Sequence, residues 1–515
     1  MINQNYISNI LIFFITIFSI IISTFLWPVI NLPYSNPENV VGVLSLIKYS
    51  PLNNTVRYVF FVGLPLFSFF CALLFFKKEQ LIKFKNFITF ENSNIEYKTN
   101  INKTINIFYF FFIIYILIEF LSNELPLAKL DYLHDGDYLT AAKNYSITNK
   151  IWISSFSPHG ASMILYPNIM WKIFDTESIG AYRLLTSFLI IIVKILSIHF
   201  VYLLTKIVFL NNSYKSIFFI IFSLIILSMS NFGILDRSYD LISFRDLYLF
   251  LFLIVSFNIV ALKKCNYFNV FLISIIPSIT ILLHTDIGIY LYFSLLFYFL
   301  YFFLSNDNKK SLFIIFIISS FWLFSLILFG ADELSVFITN VISISSSIGF
   351  THGLVYPDPF FDIGELKHAS RATKGLLLQI IAGLIIIYKV LIDNHNIKKD
   401  NKFFFILVFL LSFIFYHTAL VRSDSYHIRM SCDLPIIIII FFTLEYLLFY
   451  IQSFFDHKIK KKVINFFIYI SFFIIISFSF WLKIDYSNIT NLKERYKKFV
   501  NLEDEYFMNN GTKAL

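Results

Sequence analysis

Apolar runs of about 17 to 25 residues, dominated by Phe and Ile, return along the whole length of this 515-residue chain. At 1.5 Å per helical residue, one such run covers a hydrocarbon layer of about 30 Å. Backbone N–H and C=O groups find no water in lipid, so each run must satisfy them within itself, as a helix. The β-branched content, which would favour strands in water, is overridden by that requirement. With 58% hydrophobic and 14% charged residues, a soluble globular domain is excluded. The fold class expected is all-α, a polytopic transmembrane helical bundle of about thirteen spans.

Hydropathy places those spans near residues 7–26, 57–76, 105–123, 184–208, 216–235, 246–262, 267–283, 287–304, 311–330, 375–392, 403–421, 434–452 and 464–482. The N-terminus has no basic region or small-residue cleavage site ahead of its first apolar run, so that run reads as a retained span. Residues 1–104 are expected to hold two spans and a Lys-rich cytoplasmic loop, and residues 105–330 a transmembrane module with a large outer loop at 124–183. A long outer loop with the remaining spans is expected over 331–482, and a charged tail over 483–515.

The net charge of +9 would suggest nucleic acid in a soluble protein. Here the excess lies in short loops between spans: Lys77, Lys78, Lys83 and Lys85; Lys215; Lys263 and Lys264; Lys309 and Lys310; Lys398, Lys399 and Lys402; Lys458, Lys460, Lys461 and Lys462. Lysine clustered in alternate loops is an orientation signal that marks the cytoplasmic side. Cys71, Cys265 and Cys432 are widely spaced and odd in number, implying neither a disulfide framework nor a metal cluster.

The opposite set of loops is chemically different. It carries DYLHDGDYL with Asp131, His134, Asp135 and Asp137, then Ser157-Pro158-His159-Gly160, and Arg183 where the next span opens. Further along come Asp236 to Asp246 with Arg237 and Arg245, His284-Thr285-Asp286, the Ala331 to Lys374 stretch with Tyr356, Phe360, Phe361 and Arg371, and Arg422 to Asp433 with Asp424, His427 and Arg429. The chain's arginines avoid the lysine loops altogether. A guanidinium fork binds phosphate bidentately and stays charged, whereas lysine serves topology equally well. Arginines beside acids and imidazoles therefore suggest a site for a charged, oxygen-rich ligand. The plainer alternative is that they snorkel at helix ends or pair with neighbouring acids.

Asp135-Gly136-Asp137 also reads as a turn entering a short helix, where the dipole favours acids. That accounts for one or two aspartates but not for Asp131 and His134 in the same turn. The 331–374 loop is long enough to be a lid, with Tyr356, Phe360 and Phe361 placed to stack on sugar rings. Lys194 and Glu445 fall near mid-membrane and are expected to pair with each other. The basic tail, Lys493, Arg495, Lys497 and Lys498, breaks the charge pattern: it belongs inside by the lysine rule but outside by span count, unless it forms an amphipathic helix on the surface.

A third span leading to D-x-x-H-D-G-D-x-L-x-x-A, then Pro-His-Gly, an interfacial segment and Arg183 opening the next span resembles the GT-C-fold glycosyltransferases over roughly residues 105–330. Among these are membrane mannosyl-, arabinosyl- and aminoarabinose transferases. The resemblance implies a catalytic outer loop with short interfacial helices, and transfer of a sugar from a polyprenyl-phosphate carrier to a glycan, lipid or protein acceptor at the outer face of a bacterial inner membrane. It places the catalytic base on Asp137 or Asp135, with Asp131, His134 and His159 supporting. Donor phosphate would fall to Arg183, Arg237, Arg245, Arg371 or Arg422, with His284, Asp286, Tyr356, Asp424, His427 and Arg429 lining the site. No cofactor is expected and a divalent metal is not indicated. Two spans ahead of the catalytic loop and two candidate acids in HDGD depart from the family plan. An O-antigen polymerase or ligase, or a lipid-linked-sugar flippase, is the alternative.

Overall fold

A computed structural model describes residues 4–77, 103–122, 134–156, 159–228, 245–362, 369–391, 399–455 and 489–502. Every regular element among them is a helix. In chain order these are α1 Gln4–Val29, α2 Val43–Leu46, α3 Leu52–Phe76, α4 Lys103–Ser122, α5 His134–Thr148, α6 Ser162–Phe174, α7 Ile179–Ile207, α8 Asn212–Ser228, α9 Arg245–Val260 and α10 Tyr267–Leu283. They continue as α11 Thr285–Leu304, α12 Asn308–Phe329, α13 Ala331–His352, α14 Ala369–Leu391, α15 Lys399–Phe415, α16 His417–Val421, α17 Ser425–Met430, α18 Asp433–Phe455 and α19 Leu492–Val500.

Among the described residues ten helical segments are long and apolar enough to cross a membrane, and α8, α9 and α10 are shorter apolar helices. Large apolar side chains point outward along them, as Phe13, Phe14, Phe18 and Phe25 do on α1, a face that only lipid accommodates. The chain is a multi-pass membrane protein. The span expected at 464–482 lies outside the described residues.

One expectation is overturned. The stretch from Ala331 is not an irregular lid: α13 occupies Ala331–His352 and is among the ten segments of membrane-crossing length. Asp332, Glu333 and a serine-rich middle dilute its hydropathy enough to read as a loop.

The chain divides into two compact units. The first comprises 1–96, 296–311 and 341–443. Its core gathers Trp27, Tyr58, Phe61, Tyr356, Leu376, Tyr416 and Ile428. Buried phenols need partners, and they have them: the Tyr356 and Tyr416 hydroxyls lie 2.6 Å apart, and Tyr356 donates to the Ala372 carbonyl. Asn54 ties the segments above this core, donating to Leu354 O and Leu420 O and accepting from Tyr49 and the Tyr356 backbone.

The second unit comprises 97–295, 312–340 and 444–515. Here Lys194 on α7 pairs with Glu119 on α4 at 3.3 Å, both carriers largely buried. The expected Lys194–Glu445 pair does not form. Glu445 instead accepts from the Phe209 backbone N–H just past the end of α7. A carboxylate three residues from the end of α4 reached Lys194 first.

Candidate active site

The polar interruption between α4 and α7 folds as two short helices, α5 and α6, in the second unit. Asp137 sits in the first turn of α5 and is exposed, where the helix dipole favours a carboxylate. Its neighbour Tyr138 turns inward and packs with Met163 of α6 and Tyr182 of α7. Arg183 follows Tyr182 and has no exposed surface. Two adjoining buried tyrosines thus carry, one residue to either side, an acid that faces outward and a cation that faces inward. A guanidinium removed from water is tolerated only where acceptors or an opposite charge offset its desolvation. In this conformation Arg183 is sealed away from any donor phosphate.

Several hydrogen bonds fix the layer. Asn168 donates to the Ala142 and Ile164 carbonyls, joining α6 to α5. Trp171 donates its indole N–H to Ser178 O, and the Ser178 hydroxyl caps α7 by accepting from the Ala181 backbone. The segment between the two helices is held from α13: one Glu333 oxygen accepts the N–H groups of Trp152 (2.7 Å) and Ile153 (3.2 Å), while the Trp152 ring packs on Phe329 and Phe337. Sequence reasoning missed Glu333, since its stretch was read as loop. The acid pair Asp332-Glu333 at a helix start was the available signal.

His159 and Gly160 dock on the break between α10 and α11. The Thr285 N–H donates to His159 O, the Ala161 N–H to Leu282 O, and the Ser162 hydroxyl to Leu283 O. Gly160 has φ +110°, and a Cβ there would lie 2.5 Å from the Leu283 carbonyl, so only glycine fits. His284 is buried at the break, its ring 5.3 Å from Tyr248 of α9. The Tyr248 hydroxyl in turn meets Tyr166 of α6 at 2.7 Å. Burial pushes the Tyr166 hydroxyl up, and the hydrogen bond with Tyr248 brings it part of the way back. Asp286 lies in the first turn of α11, and Arg245 opens α9 one turn before Tyr248.

The second unit therefore brings the His159 turn, His284, Tyr248 and Tyr166 together around α6, on which α5 and α7 also pack. Asp131 and Arg237 lie outside the described residues, as do the side chains of His134, Asp135 and Arg245. Among the described residues no three His, Cys, Asp or Glu side chains gather so as to hold a metal ion.

The first unit holds a different arrangement. Asp424 caps α17, accepting from the backbone of Tyr426 and His427. It also pairs with Arg422 at 2.8 Å and with His427 Nδ1 at 2.9 Å. Burial alone would raise its carboxyl. The His427 hydrogen bonds and the charges of His427 and Arg422 outweigh that and hold it at about 2. Arg371 and Arg429 both donate to the Ser425 carbonyl, so three guanidinium groups surround one turn with a single carboxylate. Tyr356 departs from expectation: it is fully buried with its hydroxyl bonded, and cannot serve as a sugar platform. Phe360 and Phe361 are exposed, Phe361 against Phe25.

Comparison with protein-family models, with curated proteins and with solved structures finds no match to this chain.

Proposed function

We propose that this chain is a membrane glycosyltransferase of the GT-C type, moving a sugar from a polyprenyl-phosphate donor to a cell-envelope glycan, lipid or protein at the outer face of a bacterial inner membrane. The observation that carries this is the α5 turn. Asp137 stands exposed in a layer of short helices between two membrane spans, and it has no ion pair among the described residues. An exposed acid with no ion pair among the described residues is available for proton transfer.

The chemistry is a single displacement. The acceptor hydroxyl oxygen attacks the anomeric carbon, the bond from that carbon to the phosphate oxygen breaks, and the hydroxyl proton passes to the carboxylate of Asp137 or Asp135. Polyprenyl phosphate departs with the electron pair. Phosphate is already a good leaving group, so a base and cations to steady the departing charge suffice. The same opposite-face logic governs inverting glycoside hydrolysis. In the second unit Arg237 or Arg245 would steady the departing phosphate. Arg183, sealed behind Tyr182, would take part only if the α5–α6 layer opens. The buried imidazole of His284 and the His159 turn hold the floor of that layer in place.

The buried Lys194–Glu119 pair is the feature that favours the alternative, a lipid-linked-sugar transporter, since intramembrane charges often mark transport paths. One experiment separates the two. The full chain is reconstituted in vesicles with radiolabelled polyprenyl-phosphate pentose, hexose and amino sugar and with extracted cell-envelope glycan, lipid and protein as acceptors, and released polyprenyl phosphate is measured. A transferase releases it; movement of intact donor across the bilayer without release overturns the proposal.

A further inference from the structure

The basic tail that broke the lysine rule has a defined place. The Ser178 hydroxyl donates to Val500 O, and Arg495 donates to the Leu121 carbonyl at 3.4 Å. Those residues are the ends of α7 and α4 that flank the α5–α6 layer, so α19 lies on the same face as Asp137. Phe499 and Val500 are buried against Trp171, Ile179, Ala181 and Leu184. A Cβ at Gly180 would lie 2.2 Å from the Phe499 carbonyl, so the helix is pressed onto the start of α7.

The height of α19 follows from its neighbours. Ile107, Phe110, Ile114 and Leu117 form an exposed apolar stripe up α4 that ends below Leu121, and Phe188 and Ile192 do the same on α7. Tyr496 stacks on Phe188 (6.3 Å, 18°) and leans on Phe120 (6.4 Å). The helix therefore crosses the spans where their lipid-facing surface stops. Leu492, Tyr496, Phe499 and Val500 face the protein at helical spacing, while Lys493, Glu494, Lys497 and Lys498 are exposed.

We propose that α19 is an interfacial helix whose Lys493, Lys497 and Lys498 bind the headgroups of anionic phospholipids in the leaflet beside the α5–α6 layer. A row of ammonium groups level with the end of an apolar stripe meets lipid phosphate and complements its charge.

The test uses the full chain in a neutral detergent, titrated separately with phosphatidylglycerol and phosphatidylcholine, with bound lipid counted by native mass spectrometry. The combined Lys493→Gln, Lys497→Gln, Lys498→Gln variant is expected to bind phosphatidylglycerol at least tenfold more weakly, from about fivefold per lysine less screening. Phosphatidylcholine binding should not change, and the triple arginine variant should bind as the native chain does. Lys497→Gln alone should lose about fivefold, which keeps the test available if the triple variant does not fold. Unchanged phosphatidylglycerol binding in the glutamine variants overturns the proposal. So does full displacement of the lipid by inorganic phosphate, which would make this a free-phosphate site.

Discussion

Two stretches of this chain look alike as sequence and fold into opposite kinds of structure. DYLHDGDYL and RSDSYHIRM both crowd aspartate and histidine, the second with arginine, into nine residues. The second closes on itself: Asp424 caps α17 and holds both Arg422 and His427. The first leaves Asp137 outside and puts its packing into Tyr138, while the nearest arginine along α7 is buried. A turn whose one carboxylate is taken up by a helix cap, an arginine and a histidine has spent that acid on folding. One whose acid remains exposed while its neighbours pack has kept that acid available.

Substitutions test this contrast. The largest effect is expected at Asp137. Asp137→Asn should lower sugar transfer by about a thousandfold with normal membrane levels, the range for loss of a positioned base. Asp424→Asn should leave transfer within about twofold, measured as released polyprenyl phosphate. Equal losses at both positions would erase the distinction.

Gly160→Ala comes next. It places a methyl against the Leu283 carbonyl and strains a left-handed backbone, at a cost of about 2–3 kcal/mol in detergent unfolding. Glu333→Ala removes the acceptor for the buried Trp152 N–H and the part-buried Ile153 N–H and should cost about 2 kcal/mol, while limited proteolysis within 149–156 speeds up.

Asp424→Asn is the smallest, about 1 kcal/mol for a weakened cap. It carries a pH signature. Because the folded state holds the Asp424 carboxyl at about 2, below the ordinary carboxylate range, its contribution is full above that range and is lost as pH falls toward about 2. The native chain should lose that stability in acid and the asparagine variant should not.

Much of the fold was legible because lipid leaves the backbone one choice. Runs such as 7–26 and 184–208 became α1 and α7, with α7 opening at Ile179, five residues before its expected start, where the Ser178 hydroxyl caps it. The reading failed at α13, where acids and serines lower hydropathy relative to the other spans although the helix stays apolar enough to cross a membrane. Which residues carry the charge pairs was not legible either. Lys194 chose Glu119 over Glu445 through the packing of α4 on α7, a contact between elements separated by the whole loop. In the site, local spacing placed Asp137 in a helix-start turn. It did not reveal that Arg183 is sealed, that Tyr356 belongs to a core, or that Glu333 reaches back to residue 152. Each of these is a long-range partner that no local pattern encodes.

The most direct measurement pairs donor binding with turnover for Asp135→Asn and Asp137→Asn in reconstituted full-length protein. One of the two variants should bind the polyprenyl-phosphate donor as tightly as the native chain and release no polyprenyl phosphate. Release at the native rate by both variants would contradict the assignment of the catalytic base to the α5 turn.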